Sequence, residues 1–97
     1  MKKEDIIRCL AGHLEEIKER FDVKELSIFG SVARDEALDN SDIDVLVDFE
    51  GKATFDRFMG LKFYLEDLLD LRVDLVTRKA LRQRLRPIIE REAIHVA

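Results

Sequence analysis

Leu26-Ser27-Ile28-Phe29-Gly30-Ser31-Val32-Ala33-Arg34 and, a few residues later, Asp39-Asn40-Ser41-Asp42-Ile43-Asp44-Val45-Leu46-Val47 form the stretch that decides the fold. Two short runs of β-branched and aromatic residues read as strands, with a Gly-Ser turn ending the first and an Asp-x-Asp opening the second. Glycine after a strand lets backbone approach a ligand closely, and a helix starting at Val32 would aim free N–H groups at the same spot. Gly30-Ser31 by itself is equally a plain turn. Asp42 and Asp44, two apart on a strand, share a face with Cα atoms about 6 to 7 Å apart, so their charges repel. A divalent cation between them relieves that repulsion, and oxygen ligands suit Mg2+. The alternative is that both face water at the start of an edge strand.

Arg72-Val73-Asp74-Leu75-Val76 repeats the pattern of an apolar run with a carboxylate near its start. The intervening Thr54 to Asp70 is long enough for a crossover helix, which makes the second and third strands parallel with a right-handed connection. Asp74 then comes level with Asp42 and Asp44. With the first strand antiparallel to the second, Gly30 and Ser31 reach the same sheet edge. A phosphate-binding corner facing three carboxylates suits nucleotidyl transfer, in which metal ions neutralise a triphosphate and activate an attacking hydroxyl.

Gly30-Ser31, ten residues, then Asp42-Ile43-Asp44 resembles the signature of the polymerase-β-like nucleotidyltransferases. The wider run Gly30-Ser31-Val32-Ala33-Arg34 with Ser41-Asp42-Ile43-Asp44 resembles the minimal, MNT-type subgroup, whose members occur beside HEPN-domain proteins. The resemblance covers nearly the whole chain. It implies ATP as substrate, two Mg2+ ions held by the catalytic residues Asp42, Asp44 and Asp74, and a nucleotide bound by Gly30, Ser31, Arg34 and Ser41. It further implies an antitoxin that adenylylates a tyrosine of a HEPN ribonuclease toxin. A non-catalytic antitoxin acting by contact, and a small-molecule transferase of the antibiotic-modifying kind, stand as alternatives. The chain departs from the pattern at Asp35, where glycine is expected after the arginine; Asp35 places negative charge near the phosphate corner.

Arg34 lies one turn from Ser31 and can reach a phosphate or pair with Asp35 or Glu36. Ser41 can bond backbone or substrate. Ninety-seven residues at 46% hydrophobic and 39% charged suggest one domain over residues 1–97. The net charge of −4 argues against general nucleic-acid binding. It is unevenly spread: residues 35–50 carry seven acidic and no basic side chains, and residues 78–86 carry five basic and no acidic ones. The basic segment reads as a solvated face, or as a contact for substrate or partner. One cysteine, Cys9, fits a reducing cytoplasm. Nothing suggests a signal peptide, and no apolar run approaches the roughly 18 residues of a membrane span. His13 and His95 make no recognisable metal spacing.

The expected fold is α/β: a small mixed sheet of three strands, with a fourth possible at Ile94 to Ala97, packed with helices. A first helix spans Lys3 to Arg20 on the periodicity of Ile6, Leu10, Leu14, Ile17 and Phe21. Strands follow at Glu25 to Phe29, Ile43 to Phe49 and Arg72 to Thr77, with a short helix from Ser31 to Ala37 and a longer one from Thr54 to Leu69. The long helix carries an unusually broad apolar stripe including Phe55 and Phe63, read first as core and second as a partner surface. A last helix starts near Pro87, with Ile88, Ile89 and Ala93 facing inward.

Overall fold

The computed structural model describes residues 2–36, 42–81 and 85–96. Its centre is a four-stranded mixed sheet in the order β3-β2-β1-β4, built from β1 (Val23–Phe29), β2 (Ile43–Phe49), β3 (Val73–Thr77) and β4 (Ile94–His95). β1 is antiparallel to both β2 and β4, and β2 is parallel to β3. The parallel pair is joined by α4 (Phe55–Leu69), the crossover the spacing predicts. Thr54 caps that helix by accepting from the Arg57 amide at 3.2 Å. Asp70 ends it in the left-handed conformation at φ 54°.

Alternation along the strands divides the sheet into two faces. Leu26, Ile28, Ile43, Val45, Val47, Val73 and Leu75 pack on one face against Ile6, Leu10 and Ile17 and against Leu61 and Leu65 of α4. Phe29 and Leu46 point the other way, where Leu81 covers them with Val76, Ile89 and Ala93 around the rim. β2 is thus covered on both sides through its middle, which is why it reads as apolar on both faces.

The chain differs from the sequence expectation in five places. The first helix is broken into α1 (Lys3–Gly12) and α2 (Leu14–Phe21) at His13. Gly12 is a poor helix former, and His13 Nδ1 donates to the Cys9 carbonyl at 2.9 Å while its own amide turns to Leu10. The stripe from Ile6 to Phe21 still packs on the sheet, because the break tightens the helix without changing the buried face. β1 begins two residues early, and a bulge between Val23 and Glu25 absorbs the extra residue. α3 is a single turn (Gly30–Ala33), ended by Asp35 at φ 58°. On α4, Leu61, Leu65 and Leu69 are buried, whereas Phe55 and Phe63 are 77% and 55% exposed. Ile88 of α5 (Arg86–Glu92) is 53% exposed rather than inward, while Ile89 and Ala93 do pack. Pro87 stands in the first turn of α5, where its missing N–H costs nothing. Ser41, the turn before it, and Arg82 and Arg84 of the basic segment lie outside the described residues.

Candidate active site

β1 ends at Phe29, whose cross-strand partner is Asp44, and Asp44 in turn pairs in register with Asp74 on β3. The carboxyl end of β1 therefore lies beside the amino ends of β2 and β3, and Gly30, Asp44 and Asp74 meet at one edge on the second face. Gly30 has φ +72°, and a Cβ placed on it would fall on Asp44 Oδ2. No L-residue combines that backbone with that approach at low cost. The α3 turn follows directly, with Ser31 half-buried at its start.

Asp74 lies opposite Asp44 in the register, close enough for its charge to disfavour ionisation of Asp44. Burial pushes the Asp44 carboxyl up to about 6, with the Asp74 and then the Asp42 charges acting in the same direction and Arg34 opposing. Asp42 lies just before β2 and is exposed. Its Oδ1 sits 3.6 Å from Arg72 Nε, a pairing that follows from the parallel register one step before Ile43 and Val73.

Arg34 stands beside this edge but is held by two carboxylates: Nε donates to Glu36 at 3.1 Å and Nη1 to Glu92, at the end of α5, at 3.0 Å. Asp35, the departure from the family pattern, is turned outward to Lys3 Nζ at 2.9 Å. Its charge is thus answered by α1. Its left-handed backbone explains why glycine would serve at this position, and aspartate is among the few other residues that tolerate it.

The donor set is all oxygen and carries more negative charge than it neutralises, which suits a hard divalent cation such as Mg2+. As they lie, no three acidic, histidine or cysteine side chains among the described residues draw together into a metal cluster. Asp42 is the outlier, since Arg72 attracts it. A divalent cation held here would relieve the repulsion between Asp44 and Asp74 and would compete with Arg72 for Asp42. That exchange is cheap, because the exposed Asp42–Arg72 contact is long and weak.

Residues 10–96 match the nucleotidyltransferase domain family. The chain belongs to that family. This nucleotidyltransferase is similar to the protein adenylyltransferase MntA of Thermococcus cleftensis, at 44% identity over 93 residues that cover 96% of this chain and 94% of that protein. It is also similar to the solved structure of a minimal nucleotidyltransferase, at 40% identity and a TM-score of 0.83, covering 97% of this chain and 95% of that one. A chain in the crystal structure of a toxin–antitoxin complex with AMP-PNP shares the fold at 20% identity and a TM-score of 0.74, over 90% of this chain and 72% of that chain.

Two contacts around the site leave no trace in the sequence, and a third could have been read from it. Glu92 reaching Arg34 and Lys3 reaching Asp35 join residues far apart in the chain, with no local signal. Arg72 facing Asp42 was readable, because parallel strands with Asp44 opposite Asp74 put residue 72 opposite residue 42.

Proposed function

We propose that this nucleotidyltransferase transfers AMP from ATP to a tyrosine hydroxyl of a HEPN-domain ribonuclease toxin in the cytoplasm, and so acts as its antitoxin. The observation that carries the reading is the Asp44–Asp74 pair packed against Gly30. AMP as the transferred group is supported by the adenylyltransferase name of the Thermococcus relative and by the AMP-PNP in the toxin–antitoxin complex whose fold is shared. The HEPN tyrosine is the acceptor that the MNT resemblance implies.

In the reaction the tyrosine Oη forms a bond to the α-phosphorus of ATP. The bond from that phosphorus to the oxygen bridging the β-phosphate breaks, and pyrophosphate leaves. Gly30 and Ser31 present backbone N–H groups to the β- and γ-phosphates, which can approach because residue 30 has no Cβ. Arg34 exchanges its two charge-assisted bonds, to Glu36 and Glu92, for bonds to phosphate oxygens. Asp42, Asp44 and Asp74 would hold two Mg2+ ions, which would neutralise the triphosphate and favour loss of the hydroxyl proton. Asp74, exposed where Asp44 is half-buried, faces the acceptor side and receives that proton.

The test is to combine the chain with the product of the neighbouring gene, ATP and Mg2+, and to weigh both proteins. A gain of one or more AMP groups on the partner, absent with Asp42→Asn or Asp74→Asn, supports the reading. A partner that is bound and silenced but unchanged in mass refutes transfer and leaves an antitoxin acting by contact.

A further inference from the structure

Helix α5 lies over the second face of the sheet on a small apolar footing. None of its residues is fully buried, and Ile89 packs with the following Ala93 at the rim of the Phe29, Leu46 and Leu81 cluster. Two ion pairs also tie it down. Glu90 accepts from Arg78 Nε at 3.0 Å, and Glu92, the last residue of the helix, accepts from Arg34 Nη1 at 3.0 Å. The first pair joins α5 to the residue just after β3. The second joins it to the residue that closes α3, one turn from Ser31. Ala93 leads from Glu92 straight into β4, whose two residues pair with Ser27 and Ile28 of β1.

The two carboxylates on Arg34 are not equivalent. Glu36 belongs to the same turn, its amide donating to the Ser31 carbonyl at 2.8 Å, so it accompanies Arg34 whatever α5 does. Glu92 comes from a separate element, and its side chain is 31% exposed where that of Glu36 is 64%. The pair with Glu92 is therefore the less screened of the two. Together the two acids outweigh the single positive charge of Arg34, so a phosphate that takes the guanidinium competes with both. Once displaced, Glu92 faces a polyanion, and repulsion drives it away from the corner.

We propose that Glu92 is a positioning residue of the nucleotide site: it competes with phosphate for Arg34, and nucleotide binding unlatches the end of α5. The inference rests on the phosphate-binding role given to Arg34 above. In the empty site Glu92 holds Arg34 neutralised and keeps α5 seated. Occupancy transfers Arg34 to the phosphates and leaves α5 with Ile89, Ala93 and the Glu90 pair.

Two measurements test this: the affinity of the chain for AMP-PNP with Mg2+, read by calorimetry, and amide hydrogen exchange with and without that nucleotide. Glu92→Gln keeps the size of the side chain and removes its charge. It should tighten AMP-PNP binding about threefold to tenfold, the difference between a charge-assisted and a neutral hydrogen bond. In an Arg34→Ala background the same change should have no effect. A general effect of removing one negative charge would persist there, and a purely structural role for Glu92 would weaken binding instead of tightening it. In the unaltered chain AMP-PNP should quicken exchange at Ile89 and Ala93, whose amides donate to Leu85 and Ile89, against the slowing that a ligand of the folded state brings elsewhere. This second measurement needs no variant and stands even if Glu92→Gln folds poorly. No tightening in Glu92→Gln, tightening that persists without Arg34, or unchanged exchange in α5 overturns the latch while leaving the nucleotide site intact. AMP-PNP binding that Arg34→Ala leaves unaltered overturns the phosphate role of Arg34, and the latch with it.

Discussion

Gly30 and Asp44 approach so closely that a Cβ on the glycine would take the place of Asp44 Oδ2. Gly30→Ala therefore meets two penalties, a side chain at φ +72° and a collision with Asp44, whose Oδ2, Cγ and Cβ all crowd the position. We expect a loss of roughly 1 to 3 kcal/mol in stability, as for other residues forced into the left-handed region. AMP transfer should fall well beyond what that loss explains. Thermal unfolding and turnover of the same preparation separate the two effects.

The raised Asp44 carboxyl makes the metal-free protein sensitive to pH. A group at about 6 in the folded chain and near the ordinary carboxylate value when unfolded favours the folded state below about pH 4, and that contribution is lost as pH rises through 6. Unfolding in the presence of a chelator should thus show lower stability at about pH 8 than at about pH 5 from this group, by roughly 1 to 2 kcal/mol once solvent screening is allowed for. Asp44→Asn should remove the difference and stabilise the metal-free protein at the higher pH, while abolishing transfer. Added Mg2+ should do for the unaltered protein what the substitution does.

Glu66 fastens the start of β3, and through it Asp74. Its Oε2 accepts from the Val73 amide at 3.0 Å and from Lys62 Nζ at 3.3 Å. The Val73 amide holds its carboxyl below the usual range, with the Lys62 bond and charge acting in the same sense. A depressed carboxyl stabilises the fold above its unfolded value, and that contribution is lost as pH falls through the folded one. Glu66→Gln should keep a weaker bond and Glu66→Ala none. Amide hydrogen exchange at Val73 should quicken in that order, with transfer activity falling alongside.

Asp35 offers a cheaper substitution. Asp35→Gly relieves a left-handed aspartate but gives up the Lys3 pair and adds chain entropy when unfolded, so its net effect on stability should stay within about 0.5 kcal/mol. Asp35→Val, β-branched at φ 58°, should destabilise by more than 1 kcal/mol, roughly the cost of that backbone region. Parallel thermal melts decide between them.

Much of this was legible in the sequence because the signals are local. Strand alternation separates Leu26 and Ile28 from Ser27 and Phe29, and the length of the segment from Thr54 to Asp70 forces β2 and β3 parallel, which brings Asp74 level with Asp44. What escaped depends on position in space. Helical periodicity carries no sign of His13 bonding back to Cys9, since the apolar stripe runs on across the break. The exposure of Phe55, Phe63 and Ile88 is set by where the helices end relative to the sheet. The grip of Glu92 on Arg34 needs α5 to be folded over the second face before the two residues meet.

The most direct measurement is to replace Mg2+ with paramagnetic Mn2+ and record which backbone amides of the chain broaden in the presence of AMP-PNP. The account predicts broadening centred on Gly30, Ser31, Asp44 and Asp74 at substoichiometric Mn2+, abolished by Asp44→Asn and weakened by Asp42→Asn. Broadening centred instead on Glu25, Asp48 and Glu90, or none that depends on Asp44, would contradict it.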